Sequence, residues 1–331
     1  MPSEFQLIDA FVRASGVAGR APAGPGDDAA VLPRSARPTC LTVDAVVEGV
    51  HFRRATSELA DVGHKALAVN LSDLAAMGAR PRWCLVALGL PAGFGLAEAR
   101  QLGRGLGALA REVGMVLLGG NVTRAPGLSL TITAGGEAPR RPLLRSGARA
   151  GDEVWVSGTL GDARLGLLLL EHRAGASGRR LADHPRAVRA AVTRQRRPTA
   201  RLGLGALLAG VASSGIDVSD GIHQDAGHLS AASGVRFRLA MERLPISWAL
   251  REAMPDPDAA GRFAASGGED YELLFTARVR AREAVLRAAV RAGVPVTAVG
   301  IVERGKGVRL EDRRGRAVRG LSGFDHLRSR R

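Results

Sequence analysis

Lysine is nearly missing from this sequence: Lys65 and Lys306 stand alone among 47 basic residues, so arginine carries the formal net charge of +15. The arginines are scattered, apart from RQRRP at 194–198 and RSRR at 328–331, and aromatic residues make up only 4% of the chain. With so few rings to stack on bases, the charge argues for an anionic small substrate and a solvated basic surface, and against nucleic acid. Cysteine is scarce too. Cys40 and Cys84 lack metal-ligand spacing and sit in apolar, strand-like runs, as buried thiols of a reducing cytoplasm do. No apolar run reaches about 18 residues, so no membrane span is expected. The start, MPSEFQLIDAFVR, has an early acidic residue and no apolar signal-peptide core, which predicts a cytoplasmic protein. Also missing are the G-x-x-x-x-G-K-[ST] loop, the protein-kinase signatures, the G-x-S-x-G elbow and the H-E-x-x-H helix. Gly103, Gly105 and Gly107 imitate a dinucleotide fingerprint, but they fall inside a helical pattern rather than between strand and helix.

What is present suits two domains of mixed α/β (α+β) class: 331 residues with 46% hydrophobic content exceed one ordinary core. Leu59, Val62, Ala66, Val69 and Leu74 recur at helical spacing and predict a helix over 57–79, capped by Ser57 and stopped by Gly78. A buried strand follows at 82–91, a helix at 96–114, and a strand at 115–120 that ends in Gly119-Gly120. A loop is expected to open there, at Asn121 and Thr123. Strand 128–137 alternates apolar and polar residues. The Pro- and Arg-rich stretch 137–152 is the expected junction, giving domains 1–138 and 139–331. Beyond it the pattern restarts with strand 152–158, helices through 165–170, 181–192 and 199–212, and strands near 235–240, 295–302 and 307–312.

The acidic residues carry the chemical signal. Asp27-Asp28 follow PAGPG, Asp44 lies in CLTVDAVV, Asp73 in NLSDLAAMG, Asp217 and Asp220 in GIDVSDG, and Glu269-Asp270 after Gly267-Gly268. Small or β-branched residues surround each of them, and local cations are few. Singly, each suits a turn, a cap or a satisfied buried carboxylate. Together they suit a shared hard cation such as Mg²⁺, because an unpartnered buried carboxylate is costly. His51, in VVEGVHF, is isolated and by itself suits a structural role. Asn121-Val122-Thr123 matches a glycosylation acceptor, which the expected compartment argues against. Carboxylates, Mg²⁺, glycine turns and an arginine or two suit in-line phosphoryl transfer, where metals neutralise charge and the protein positions the reactants.

The segments PGDDAAVL, TVDAVVEGVHF, KALAVNLSDLAAMGARP, GGNVTR, LLRSGARAGDEVWVSGTLGD, GIDVSDG and SGGEDYELLFT occur in the order seen in the thiamine-monophosphate kinases. Over essentially its whole length the chain resembles that family, within the aminoimidazole ribonucleotide synthetase-like superfamily. The resemblance implies ATP-dependent phosphorylation of thiamine monophosphate to thiamine diphosphate without a phosphoenzyme. It also implies an N-terminal ATP- and Mg²⁺-binding domain that pairs through its sheet in a homodimer, and a C-terminal α/β domain that completes the substrate site. By the same resemblance Asp28, Thr42, Asp44, Asp73, Asp217 and Asp220 are implied Mg²⁺ ligands. Gly120, Asn121, Arg145 and Ser219 are implied ATP contacts, with Arg145 a possible stabiliser of charge. His51, Glu269 and Leu321 are implied substrate contacts.

Two positions depart from the family pattern. Asn121 stands where the family has Asp, which keeps a carbonyl oxygen for a metal but removes a charge. Leu321 stands where an aromatic residue is common, which loses ring stacking.

Overall fold

The computed structural model describes residues 3–17, 32 and 35–321. The chain divides into two compact units, Met1–Leu74 with Ala79–Arg140, and Ala75–Gly78 with Arg141–Arg331. Among the described residues no helix is long and apolar enough to cross a membrane.

The first unit opens with helix α1 (Glu4–Ser15). Ser3 and Gln6 form a reciprocal capping box there, and Gly16 ends the helix in the left-handed conformation. Strand β1 (Thr39–Val47), helix α2 (Leu59–Ala76), strand β2 (Arg80–Leu90), helix α3 (Leu96–Glu112) and strands β3 (Val116–Arg124) and β4 (Ser129–Glu137) follow. The strands form one sheet in the order β1-β4-β2-β3. Only the β2–β3 pair is parallel.

The glycine run in α3 is a packing device. A Cβ on Gly103 would lie 2.3 Å from the Phe11 carbonyl oxygen, and one on Gly107 would lie 1.8 Å from that of Ser15, both in α1. One on Gly105 would meet the Ala60 carbonyl of α2 at 1.8 Å. Both helices therefore cross α3 at backbone contact, and no side chain larger than hydrogen fits.

This sheet has unlike faces. Val46, Cys84, Val86, Leu88, Leu130, Ile132 and Ala134 are buried on one of them. The other carries Leu41 and Val43, both 60% exposed, beside Ala45, Thr131, Thr133, Leu85 and Ala87. Cross-strand partners share a face, and the register pairs Val43 with Thr133 and Thr133 with Leu85. The edge strand β1 corrects two sequence expectations. Asp44 is exposed and Cys40 only half-buried, because their apolar neighbours Leu41, Val43 and Ala45 point to the open face instead of enclosing them. Cys84, in contrast, is fully buried, and burial pushes its thiol up to about 12.

The second unit is built on strands β5 (Asp152–Ser157), β6 (Ser214–Val218), β7 (Arg236–Ala240), β8 (Glu272–Arg278), β9 (Val296–Glu303) and β10 (Gly307–Glu311), in the order β10-β7-β9-β5-β8-β6. All neighbours are antiparallel except β10 and β7. Its helices are α4 (Asp162–Leu170), α5 (Gly175–Arg180), α6 (Pro185–Arg196), α7 (Leu202–Leu208), α8 (Ile222–Ser233), α9 (Trp248–Ala253), α10 (Pro257–Ala265) and α11 (Arg282–Ala292). Alternate residues of the sheet feed two cores. Val154, Val156, Ile216, Val218, Leu274 and Phe237 pack in one, and Trp155, Leu273, Phe275 and Ala277 in the other.

Candidate functional site

In the first unit the chemistry gathers where β1 meets α2. Asn70, fully buried on α2, accepts the Asp44 backbone N–H at 3.1 Å through Oδ1 and donates to the Ala66 carbonyl at 2.9 Å. Its amide thus ties the helix to the strand. Three residues on, nearly one helical turn, Asp73 Oδ2 accepts the Thr42 hydroxyl. Burial and the charge of Asp73 both raise the Cys40 thiol, so Cys40, Thr42 and Asp73 share that face of β1. Of the expected set, Thr42 and Asp73 are joined by a side-chain hydrogen bond, and Asp44 lies two residues along the same strand, tied to α2 through its backbone. Asp28 lies outside the described residues.

His51 occupies the turn after β1. Its Nδ1 accepts the Val47 N–H at 3.1 Å, which puts the proton of the neutral ring on Nε2. Its carbonyl accepts Nζ of Lys65 at 3.0 Å. Lys65, only 3% exposed, secures this turn from inside, a role that nothing local in the sequence signals.

Asn121 corrects a further expectation. β3 runs on through Asn121 to Arg124, and the chain turns later, at Pro126-Gly127. β-Branched Val122 and Thr123 favour the extended form. Gly120 is demanded by the sheet itself: a Cβ there would lie 1.8 Å from the Val86 carbonyl oxygen. The register places Asn121 beside Ala87, Thr131 and Ala45, in a row on the open face. Asp44 belongs to the next row, through Ile132 and Val86 to Gly120, on the covered face. Within one chain the two residues stand on opposite edges and opposite faces, three strand spacings or about 14 Å apart.

In the second unit β6 delivers Asp217, which is 5% exposed, and then turns through Ser219 and Asp220 into α8. The Asp220 N–H donates to Asp225 Oδ2 at 3.2 Å, and Gln224 Nε2 donates to Asp220 Oδ2 at 3.1 Å. Ligand atoms of Asp220, Asp225 and His228 lie within 4.8 Å of one another. Burial, then the charges of Asp217 and Asp220, push Asp225 up to about 8. The sequence reading missed Asp225 and His228. The signal for Asp225 was available: it shares the apolar side of α8 with Ile222, Ala226 and Leu229, all buried.

Beside this cluster runs the segment Glu269–Glu272. Glu269 and Tyr271 hold positive φ angles of 65° and 50°, a strained form for residues with side chains. Backbone bonds hold them there: Glu269 N–H to the Ser219 carbonyl at 2.7 Å and Tyr271 N–H to that of Val218 at 2.8 Å. The strain turns Asp270 inward, where its carboxyl accepts the N–H groups of Gly161 at 2.8 Å and Ala163 at 3.5 Å at the start of α4. Burial outweighs those bonds and the nearby Arg194, and lifts Asp270 to about 8. Glu272, fully buried, receives Arg194 Nη2 at 2.8 Å, Arg201 Nε at 2.7 Å and the Ser157 hydroxyl at 2.5 Å. Gln195 Nε2 donates to Glu269 Oε2 at 2.7 Å. Arg194 and Gln195 belong to the RQRRP run, whose basic composition concealed that part of it faces inward.

Arg145 is exposed, and its carbonyl accepts the Ser233 hydroxyl at 3.2 Å. Leu321 packs, half-buried, against the core that contains Val318 and Leu310.

Residues 26–138 match the AIR synthase related protein, N-terminal domain, and residues 149–313 match the AIR synthase related protein, C-terminal domain. The chain is 41% identical over 279 residues to the thiamine-monophosphate kinase of Escherichia coli (strain K12), covering 84% of this chain and 83% of that one. Among solved structures it is similar to the thiamine-monophosphate kinase of Stenotrophomonas maltophilia K279a, with TM-score 0.83, 42% identity and coverage of 96% and 98% of the two chains. It is also similar to AaThiL complexed with AMPPCP and TMP, with TM-score 0.76, 32% identity and coverage of 98% and 97%.

Proposed function

The chain belongs to the AIR synthase related family and, within it, to the thiamine-monophosphate kinases, and from that premise we propose how its residues serve the reaction. The enzyme transfers the γ-phosphoryl group of ATP to thiamine monophosphate, giving thiamine diphosphate and ADP. The observation that carries this reading is 42% identity to a thiamine-monophosphate kinase with 98% of that chain covered.

The attacking group is a phosphate oxygen and the target is a polyphosphate, so the obstacle is repulsion between anions. Oxygen donors that fit a hard cation are present in each unit: Thr42, Asp44 and Asp73 in the first, Asp217 and Asp220 in the second. Burial, and then the charges of two neighbouring carboxylates, push Asp225 up, so negative charge is gathered here, and clustered carboxylate oxygens suit a hard cation. Mg²⁺ bound there would neutralise phosphate charge.

The protein's own groups then position the reactants. His51 presents an N–H from Nε2 suited to a substrate phosphate. Arg145 presents an exposed guanidinium with planar donors for phosphate oxygens. Ser219 anchors the Glu269 loop through its carbonyl and offers a hydroxyl to ATP. Glu269 faces the organic part of thiamine monophosphate. The oxygen of one phosphate attacks the other in line, and no protein nucleophile intervenes. Incubation with ATP, Mg²⁺ and thiamine monophosphate should yield thiamine diphosphate and ADP, with inversion at a chiral γ-phosphorus. Absence of turnover would overturn the activity; retention would overturn direct transfer.

The open face of the first sheet is the surface by which two copies pair. Leu41 and Val43 give it apolar area on an edge strand, and Asn121 lies on the same face, so pairing brings it to the second copy. Leu41→Lys with Val43→Lys should convert a dimer to a monomer in sedimentation analysis. A parent enzyme that sediments as a monomer would refute the pairing.

A further inference from the structure

Helix α2 and the edge strand β1 are joined at two points. Asn70, fully buried on α2, accepts the Asp44 backbone N–H at 3.1 Å and donates to the Ala66 carbonyl of its own helix at 2.9 Å. Three residues along the helix, Asp73 accepts the hydroxyl of Thr42, two residues along the strand. The two carboxylates proposed to hold Mg²⁺ in this unit therefore come from different elements, Asp44 from the strand and Asp73 from the helix. Their separation is set by whatever holds the strand to the helix.

An edge strand has a ladder neighbour on one side only, here β4, so alternate N–H groups along it lack a partner in the sheet. Asp44 is an exposed residue, and on an open edge water satisfies such groups. A buried amide is not needed for that. What it adds is a fixed distance, because its other end is bound to the Ala66 carbonyl and close packing leaves it no room to follow the strand.

We infer that Asn70 is a positioning residue for metal selectivity: through the Asp44 backbone it fixes the span between the carboxylates of Asp44 and Asp73, so that the pair cannot widen to suit a larger cation. Mg²⁺ takes oxygen ligands at about 2.0–2.1 Å in a near-ideal octahedron, and Ca²⁺ at about 2.3–2.6 Å in adaptable geometry. A rigid frame separates the two ions, and a loose one does not. The inference rests on the proposed role of Asp44 and Asp73 as Mg²⁺ ligands.

Calorimetric titration of the full-length protein with Mg²⁺ alone and with Ca²⁺ alone, without nucleotide, tests it. Asp44→Asn retains the N–H that Asn70 takes, and the binding it removes identifies the site. Asn70→Leu keeps the volume and removes both bonds. Asn70→Ser keeps a hydroxyl for the Ala66 carbonyl four residues back and gives up the reach to Asp44. In both Asn70 variants Kd for Mg²⁺ should rise about tenfold, the scale of losing the partner that orients a metal ligand. Kd for Ca²⁺ should rise less, because a wider frame suits the larger ion, so the ratio of the two constants shifts toward Ca²⁺. A purely structural residue would lower the melting temperature and weaken both ions alike. A parental Kd for Mg²⁺, equal rises for the two ions, or loss of folding in both Asn70 variants would overturn the inference. If Asp44→Asn removes no Mg²⁺ binding, the metal role of Asp44 fails and the inference with it. If it removes binding that both Asn70 variants retain at the parental Kd, only the role of Asn70 fails.

Discussion

The two sheets use edge strands differently. β1, at the edge of the four-stranded sheet, is mostly accessible along its length, with one face on α2 and the other open. β6, at the edge of the six-stranded sheet, is buried at all five positions. Each carries an aspartate of the proposed metal sites. Asp44 is exposed and tied by its backbone to Asn70; Asp217 is enclosed and crowds Asp225. One unit thus presents its carboxylate in solvent, and the other stores charge repulsion around it.

That contrast predicts a divergence between activity and stability. Asp44→Asn and Asp217→Asn should each lower kcat on the order of 100-fold or more, as loss of a ligand or charge at a phosphoryl-transfer site does. Without Mg²⁺ and above about pH 8, where Asp225 is ionised, Asp217→Asn should also raise the melting temperature by relieving repulsion on Asp225, while Asp44→Asn leaves it unchanged. Equal melting temperatures for the two variants would erase the distinction between the sites.

The ion pairs sharpen it further. Glu272→Ala leaves Arg194 and Arg201 facing an empty buried position and should cost about 3–5 kcal/mol in urea unfolding. Glu283→Ala breaks a pair with Arg287 whose side chains are 87% and 68% exposed, and should cost at most about 1 kcal/mol. A small loss at Glu272 would mean that its two arginines find other partners.

Asp270 gives the second unit a pH signature. Its folded-state value of about 8 lies above the unfolded value of about 3.9. Between those values the folded chain binds more protons, so this group's stabilisation is complete below about pH 4, declines as pH rises, and is gone above about 8. Asp270→Asn should flatten that part of the melting-temperature profile. An unaltered slope would assign it to another group.

Periodicity made α2 and the core strands legible in the sequence, and the SGGEDYELLFT segment pointed to Glu269. Less legible was anything decided by a neighbour distant in the chain. The apolar flanks of Asp44 suggested burial, yet only the sheet order reveals that β1 is an edge with an open face. Gly119-Gly120 read as a strand end, whereas Gly120 answers to the Val86 carbonyl across the sheet. Gln195 was hidden among arginines because its partner lies 74 residues away. The capping box of Ser3 and Gln6 is, by contrast, a local signal that the sequence carries on its face.

The smallest expected effect concerns Asn121. The open face separates it from Asp44 within a chain, so a carboxylate there would assist a metal held at Asp44 through the proposed pairing of two copies. Asn121→Asp should lower the Mg²⁺ concentration for half-maximal rate about fivefold, matching the roughly 1 kcal/mol of a unit charge pair at 4 Å in water. In the background of Leu41→Lys and Val43→Lys the same substitution should change nothing. A fivefold shift that survives in the monomer would place Asn121 at a metal of its own chain and refute assistance through pairing. No shift in either background would free Asn121 of any metal role and leave the open face with pairing alone.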